Sequence, residues 1–326
     1  MTDLLDAYRP LAISYFAFAR HAMVEALRQS GIGNGDRVAL PGFICRDVLA
    51  SIHALGALPV FYEVDESLRA TTLDDLPQVK AIIAVDYFGF PQDLAPFREY
   101  CSRTSAKLIE DNAHGLFSRD DRSQLLGSRG DFGILSLRKT FHVATGAALL
   151  ARESAGIDMP CVERSEGAHA LRFTLSRFER RTGIPTLAGM RAAIRVARRL
   201  ARRAEIDPSS SDDETMLPRF IAIRCRSLAK LNDQDPATEI ARRRTLFDKV
   251  VSDLREVPNV RLLHDRLDSQ TVPYGVPFRI ESEQQETLRA LERRHHVVVM
   301  QWPALPSALA TSAPDHYRNV WLVNFL

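Results

Sequence analysis

The chain has 326 residues, enough for about two domains of ~150 residues or one large domain with a smaller appendage, which excludes a peptide hormone or a lone binding module. Hydrophobic residues make up 45% and charged residues 26%, so a sizeable core is available and wholesale disorder is excluded. With 43 Lys and Arg against 41 Asp and Glu the net charge is +2, too small to imply a nucleic-acid partner for the whole molecule.

The N-terminal stretch MTDLLDAYRPLAISYFAFAR carries acids early and Arg9 inside its apolar part. It therefore lacks the basic start and clean apolar run of a signal peptide. No apolar run approaches the ~18 residues needed to span a bilayer, so neither secretion nor membrane insertion is expected. From 37 to 152, short apolar runs alternate with amphipathic stretches: RVALP, DVLASIHALG, LPVFYEV, AIIAVDYF, DLAPFREYCSR, KLIEDN, GILSLR and GAALLAR. The strand candidates are almost continuously apolar, as expected when helices cover both faces of a mostly parallel sheet. An Arg-rich helical region follows to about 205, then the DPSSSDDE loop. Beyond it, PATEIARRRTLFDKVVSDLRE and TLRALERRH predict helices, and VRLLH, YGVPFRI, VVVMQW and VWLVNFL predict strands of a smaller α/β domain. The division predicted is 1–205 and 206–326.

Cys45, Cys101, Cys161 and Cys225 have no paired spacing. Neither a zinc site nor a disulfide framework is expected, and a reducing cytoplasm is. His295 and His296 predict the solvated end of a helix and no metal site.

The chemistry concentrates in Lys107 to Leu150. One strand delivers Glu110 and Asp111 to its C-terminal end, where open α/β sheets place ligands, and His114 follows. The next run delivers Ser136 and then Lys139. Singly these residues have ordinary readings as a cap, a loop histidine, a buried hydroxyl and a surface lysine. Together they suit pyridoxal phosphate, since the amine can form an imine with its aldehyde and a carboxylate can keep its pyridine nitrogen protonated.

The runs IEDNAH, GDFG, LSLRKT and ATGAALL resemble the active-site blocks of the DegT/DnrJ/EryC1/StrS aminotransferases, which are fold type I pyridoxal-phosphate enzymes acting on sugars. GDRVALPGFICRDVLASIHALGALPVFYEVD, TLDDL and AIIAVDYFGFPQDL resemble that family's preceding strands and helix, and VPFRI and MQWPALP its C-terminal domain. The resemblance implies a large cofactor domain with helices on both faces of its sheet, a smaller α/β domain, and a cytoplasmic homodimer. It implies Lys139 as the imine-forming lysine, Asp111 as the partner of the pyridine nitrogen, His114 against the ring or its phenolic oxygen, and Ser136 as a phosphate ligand. The substrates implied are an amino donor, glutamate in the family, and a keto sugar, nucleotide-linked by the same resemblance.

Several positions depart from the family pattern. AFARHAM stands where relatives carry a Gly and a hydroxyl residue, and Arg20 there can bind phosphate by a charge-assisted bond or sit on an exposed helix start. Cys45, where relatives often carry an aromatic residue, is expected to be buried. An Asn- and Tyr-containing segment typical after residue 152 is missing, and the chain stops at VWLVNFL where relatives commonly continue, so a short small domain is expected. The Arg-rich stretch, Arg191 to Arg203 around Leu187, Met190 and Ile194, predicts a solvated face over a packed stripe, with a sugar diphosphate or an anionic membrane as its other readings. Two other functions remain: a non-catalytic member serving as a binding or scaffold protein, and sugar dehydration on the same cofactor. Relatives that dehydrate replace the lysine by histidine, and Lys139 argues against that.

Overall fold

The computed structural model describes residues 3–152, 159–163, 211–280 and 285–326. Seven strands form one sheet: β1 (Ala12–Phe16), β2 (Arg37–Pro41), β3 (Leu58–Tyr62), β4 (Ala81–Val85), β5 (Lys107–Asn112), β6 (Phe132–Leu135) and β7 (Ala147–Ala151), in the order β1-β7-β6-β5-β4-β2-β3. Strands β2 to β6 pair in parallel, whereas β7 lies antiparallel between β6 and β1. The expected strands between 37 and 152 all form, and β1 adds an edge strand the sequence pattern does not announce.

These strands read as unbroken apolar runs because each face meets its own core. In β7, Ala147, Leu149 and Ala151 belong to one buried cluster, while Ala148 and Leu150 belong to another with Leu5, Leu137 and Phe141. Alternation by two therefore divides the strand between two apolar layers rather than between core and water. Helix α1 (Ala19–Gln29) packs on β6 and β7, α2 (Leu49–His53) on α1 and β3, and α3 (Ala95–Thr104) on β4 and β5.

The same period sends Glu110 and Asp111 to opposite faces. Glu110, fully buried, accepts from Arg129 Nε at 2.6 Å and from the Arg129 backbone N–H at 2.7 Å, and the same guanidinium donates to Asp86 Oδ1 at 2.7 Å. This charged cluster ties the ends of β4 and β5 together behind the sheet. Burial and the neighbouring Glu110 charge push the Asp86 carboxyl well above its usual range.

Helix α4 (Cys225–Asn232) leads to α5 (Pro236–Arg255), which Asp235 caps by accepting from the N–H groups of Ala237 at 3.1 Å and Thr238 at 3.2 Å, with Pro236 in the first turn. A second sheet follows, built from β8 (Val260–Leu262), β9 (Gly275–Ile280), β10 (Val298–Gln301) and β11 (Val320–Asn324) in the order β10-β11-β9-β8, antiparallel throughout. Phe247, Val250, Val251 and Leu254 of α5 and Leu288 and Leu291 of α6 (Gln285–His295) fill its core. The predicted boundary at 205/206 and the Arg-rich stretch 187–204 lie outside the described residues.

The cysteine expectation is corrected here. Cys161 and Cys225 form a disulfide with a Cα–Cα distance of 4.9 Å. An isolated parallel bridge between Val162 and Arg224, with Val162 N–H donating to Ile223 O and Cys225 N–H to Val162 O, brings together positions 64 apart in sequence. Spacing along the chain carries no trace of that contact. Cys225→Ser is expected to lower the unfolding free energy by about 2–4 kcal/mol, the usual scale for a loop of this size, read from denaturant midpoints with and without reductant. Equal midpoints for the wild type in both conditions would contradict a stabilising crosslink.

Candidate active site

The C-terminal ends of the parallel strands open into a cavity, the edge where open α/β sheets place ligands. All five residues singled out in the sequence line it: Arg20, Asp111, His114, Ser136 and Lys139. The parallel register sets Val85 beside Asp111 and Asp111 beside Ile134, so three neighbouring strand ends meet there.

Asp111 is buried, and its Oδ1 accepts the Ala113 backbone N–H at 3.1 Å. Burial raises its carboxyl above the usual range, and the Lys139 charge pulls it back. His114 lies against Tyr274, with ring centroids 4.3 Å apart and planes at 4°, and against Phe88 at 5.8 Å and 9°. Its Nδ1 accepts the Phe88 backbone N–H at 3.3 Å, and its Nε2 is 3.1 Å from Lys139 Nζ. Burial, then the charges of Lys139 and Arg243, hold the imidazole well below its usual pKa, so it is neutral. A neutral ring that accepts at Nδ1 carries its hydrogen on Nε2, the nitrogen that faces the Lys139 amine.

Backbone geometry makes this contact possible. Phe88 sits in the left-handed region at φ 57° and ψ 13°, followed by Gly89 at φ +95°. A Cβ on Gly89 would lie 2.5 Å from Val272 O, and one on Gly115 would lie 2.9 Å from Gly89 Cα. The turn after β4 and the loop after β5 therefore approach closely only because both positions are glycine. The strained Phe88 conformation aims its N–H at the imidazole.

The amine comes from a 3-10 turn, Leu137–Lys139, immediately after β6. Ser136 precedes it and is buried at the strand end. The opposite wall is the start of α1, where Phe18 supplies no side-chain cap, so the first-turn amides have no side-chain partner from the cap position. Arg20 Nε is 3.8 Å from Asp47 Oδ2, and the Arg138 guanidinium carbon lies 5.1 Å above the Phe18 ring. Cys45, expected to be simply buried, is half-buried and lines the cavity. Desolvation pushes its thiol up to about 12, so it is protonated and unreactive at neutral pH. The sequence pass also missed Arg138, Asp47 and Trp302 in the wall. The MQWP block marked Trp302, although nothing local shows that it reaches the large sheet.

Among the described residues no cluster of His, Cys, Asp and Glu could hold a metal, and no helix is long and apolar enough to cross a membrane.

With this arrangement in view, the comparisons with known proteins bear on the same residues. Residues 15–171, which contain the whole constellation, match the model of the DegT/DnrJ/EryC1/StrS aminotransferase family. That match covers just under half of the chain, and over it the chain is similar to the family. A curated relative, the UDP-N-acetyl-3-dehydro-alpha-D-glucosamine 3-aminotransferase of Acidithiobacillus ferrooxidans, is 33% identical over 120 residues, covering 35% of this chain and 32% of that protein. The match thus spans about a third of the relative's length. Among solved structures, Helicobacter pylori PseC, an aminotransferase in pseudaminic (pseudoaminic) acid biosynthesis, aligns with a TM-score of 0.62 at 14% identity, covering 98% of this chain and 83% of that one. The PLP form of the putative sugar aminotransferase Spr1654 from Streptococcus pneumoniae aligns at 0.60 and 15%, with the same coverage. At such identities these structures establish the fold alone: a seven-stranded, mostly parallel sheet and a smaller antiparallel one, matching those aminotransferase structures.

Proposed function

We propose that the protein transfers an amino group from an amino acid, glutamate by the family resemblance, to the keto group of a nucleotide-linked sugar, with pyridoxal phosphate held at Lys139. The observation that carries this reading is the amine of Lys139, 3.1 Å from His114 Nε2, in one cavity with the buried carboxylate of Asp111. The cavity's donor set fits the cofactor. Asp111 is a buried carboxylate lining the cavity, raised above its usual range by burial, and a protonated ring nitrogen would offset that cost. The uncapped start of α1, Ser136, and the cations Arg20 and Arg138 offer the amides, hydroxyl and charge that a phosphate takes.

Bound there, pyridoxal phosphate supplies an electron sink that stabilises negative charge on the carbon bearing the amine. The rest falls to the chain's own groups. Lys139 Nζ anchors the aldehyde and, once the donor's amine displaces it, is the base placed to take up and return the substrate proton. His114, stacked on Tyr274, holds the Lys139 amine in place at 3.1 Å within the cavity. Asp111 keeps the ring nitrogen protonated. The curated relative's UDP-linked amino-sugar name supports the choice of a nucleotide-linked substrate; the homodimeric state belongs to the same proposal and rests on the resemblance.

The two half-reactions test it separately. Glutamate should discharge the visible absorbance of the cofactor-loaded protein and release 2-oxoglutarate, and a nucleotide-linked keto sugar should restore that absorbance and yield the amino sugar. A loaded protein that no amino donor discharges would instead support the non-catalytic binding role.

A further inference from the structure

Arg243 is the largest fully buried side chain described, with 1% of its surface exposed. It stands on α5 one turn before Phe247, at the head of the stripe Phe247, Val250, Val251 and Leu254 that fills the small-domain core. Where that stripe leaves the small sheet, the guanidinium crosses to the large domain. Its Nη2 donates to Lys139 O at 3.0 Å and Thr140 O at 3.1 Å, its Nη1 to Pro273 O at 3.2 Å, and its Nε to Glu239 Oε1 at 2.7 Å. Within the 3-10 turn, Lys139 N–H donates to Ser136 O and Thr140 N–H to Leu137 O. The carbonyls of Lys139 and Thr140 come after those bonds, at the end where a helical turn runs out of internal donors.

We propose that Arg243 is a positioning residue for the reaction, a planar fork that fixes the lysine turn through its two terminal carbonyls and so holds the Lys139 amine at His114. Pro273, the third carbonyl it holds, immediately precedes Tyr274, the ring on which His114 lies. One guanidinium therefore sets both members of the amine–imidazole contact from behind. A lysine cannot substitute, because a single ammonium on a flexible stem cannot span three carbonyls in fixed directions. Glu239 also accepts from Arg242, at 2.8 and 2.6 Å, so loss of Arg243 does not strand that carboxylate.

The inference rests on the aminotransferase reading for its catalytic meaning, and its test separates the two. Wild type, Arg243→Met and Arg243→Lys would be compared as full-length proteins. Nitrogen-15 NMR of the cofactor-free proteins, with the His114 signal assigned through His114→Gln, reports which ring nitrogen carries the hydrogen. The wild type should show it on Nε2, held there by the Phe88 N–H on Nδ1, and in both variants the Nε2 signal should shift as the amine moves away. In the glutamate half-reaction both should lose about 100-fold in kcat, the scale of a ~1 Å misplacement, with KM within twofold. An Nε2 signal and a kcat unchanged in either folded variant would overturn the proposal, and Arg243→Lys, which keeps the charge, decides it if Arg243→Met does not fold. Failure of the wild type to react with any donor while the Nε2 signal still responds to Arg243 would sink the aminotransferase reading and leave the positioning role standing.

Discussion

Lys139→Ala is expected to abolish covalent cofactor attachment and to slow amine transfer by about 10⁴-fold, the upper range for loss of a positioned acid–base group, because among the described residues lining the cavity no other primary amine remains. Borohydride reduction of the loaded wild type, followed by peptide mapping, should place the pyridoxyl group on the peptide containing Lys139 and leave the variant unlabelled. Lys107 is a poor substitute, since it begins β5 at the far end from the cavity and pairs with Asp131 at 3.4 Å. Label on Lys107 or Lys230 in the wild type, or a variant retaining most of its rate, would remove the central assignment.

Asp111→Asn should keep the fold and cost about 10²–10³-fold in kcat, the scale for removing one preorganised electrostatic partner. The amide oxygen can still accept the Ala113 N–H, so the local hydrogen bond survives. What it cannot do is hold a ring nitrogen protonated. Stability should move the other way. The folded pKa of Asp111 is raised, so its ionised form costs stability as pH rises from the unfolded value near ~3.9 towards the folded one. The neutral amide escapes that cost. The cofactor-free variant should therefore be at least as stable as the wild type at pH 7 by denaturant midpoint, while its rate collapses. An unchanged rate would reduce Asp111 to a strand-end residue.

Much of this candidate site was legible in the chain because Asp111, His114, Ser136 and Lys139 sit at two strand ends close in sequence. KLIEDN and GILSLRK are continuous apolar runs followed at once by polar residues, and parallel pairing puts such ends at one edge. Glu110 and Asp111 looked equivalent in the sequence, yet the two-residue period of β5 turns one into the cavity and the other into the Arg129 cluster. Arg243 is one of three consecutive arginines in the helix PATEIARRRTLFDKVVSDLRE, and nothing in that spacing sets it apart. Its burial follows from where α5 crosses between the two sheets, which no local pattern encodes.

By itself the sequence determined the alternation of buried strands and helices and the sheet edge at which Asp111, His114 and Lys139 meet, because hydrophobic period and strand-end position are local properties. Only the tertiary structure decided the antiparallel place of β7, the Cys161–Cys225 bond, the strained turn that aims the Phe88 N–H at His114, and the reach of Arg243 and Trp302 into the large domain. These depend on contacts between residues tens to hundreds of positions apart. Such contacts are selected by packing and by the need to satisfy buried polar groups, and neither is written in the spacing of any one segment.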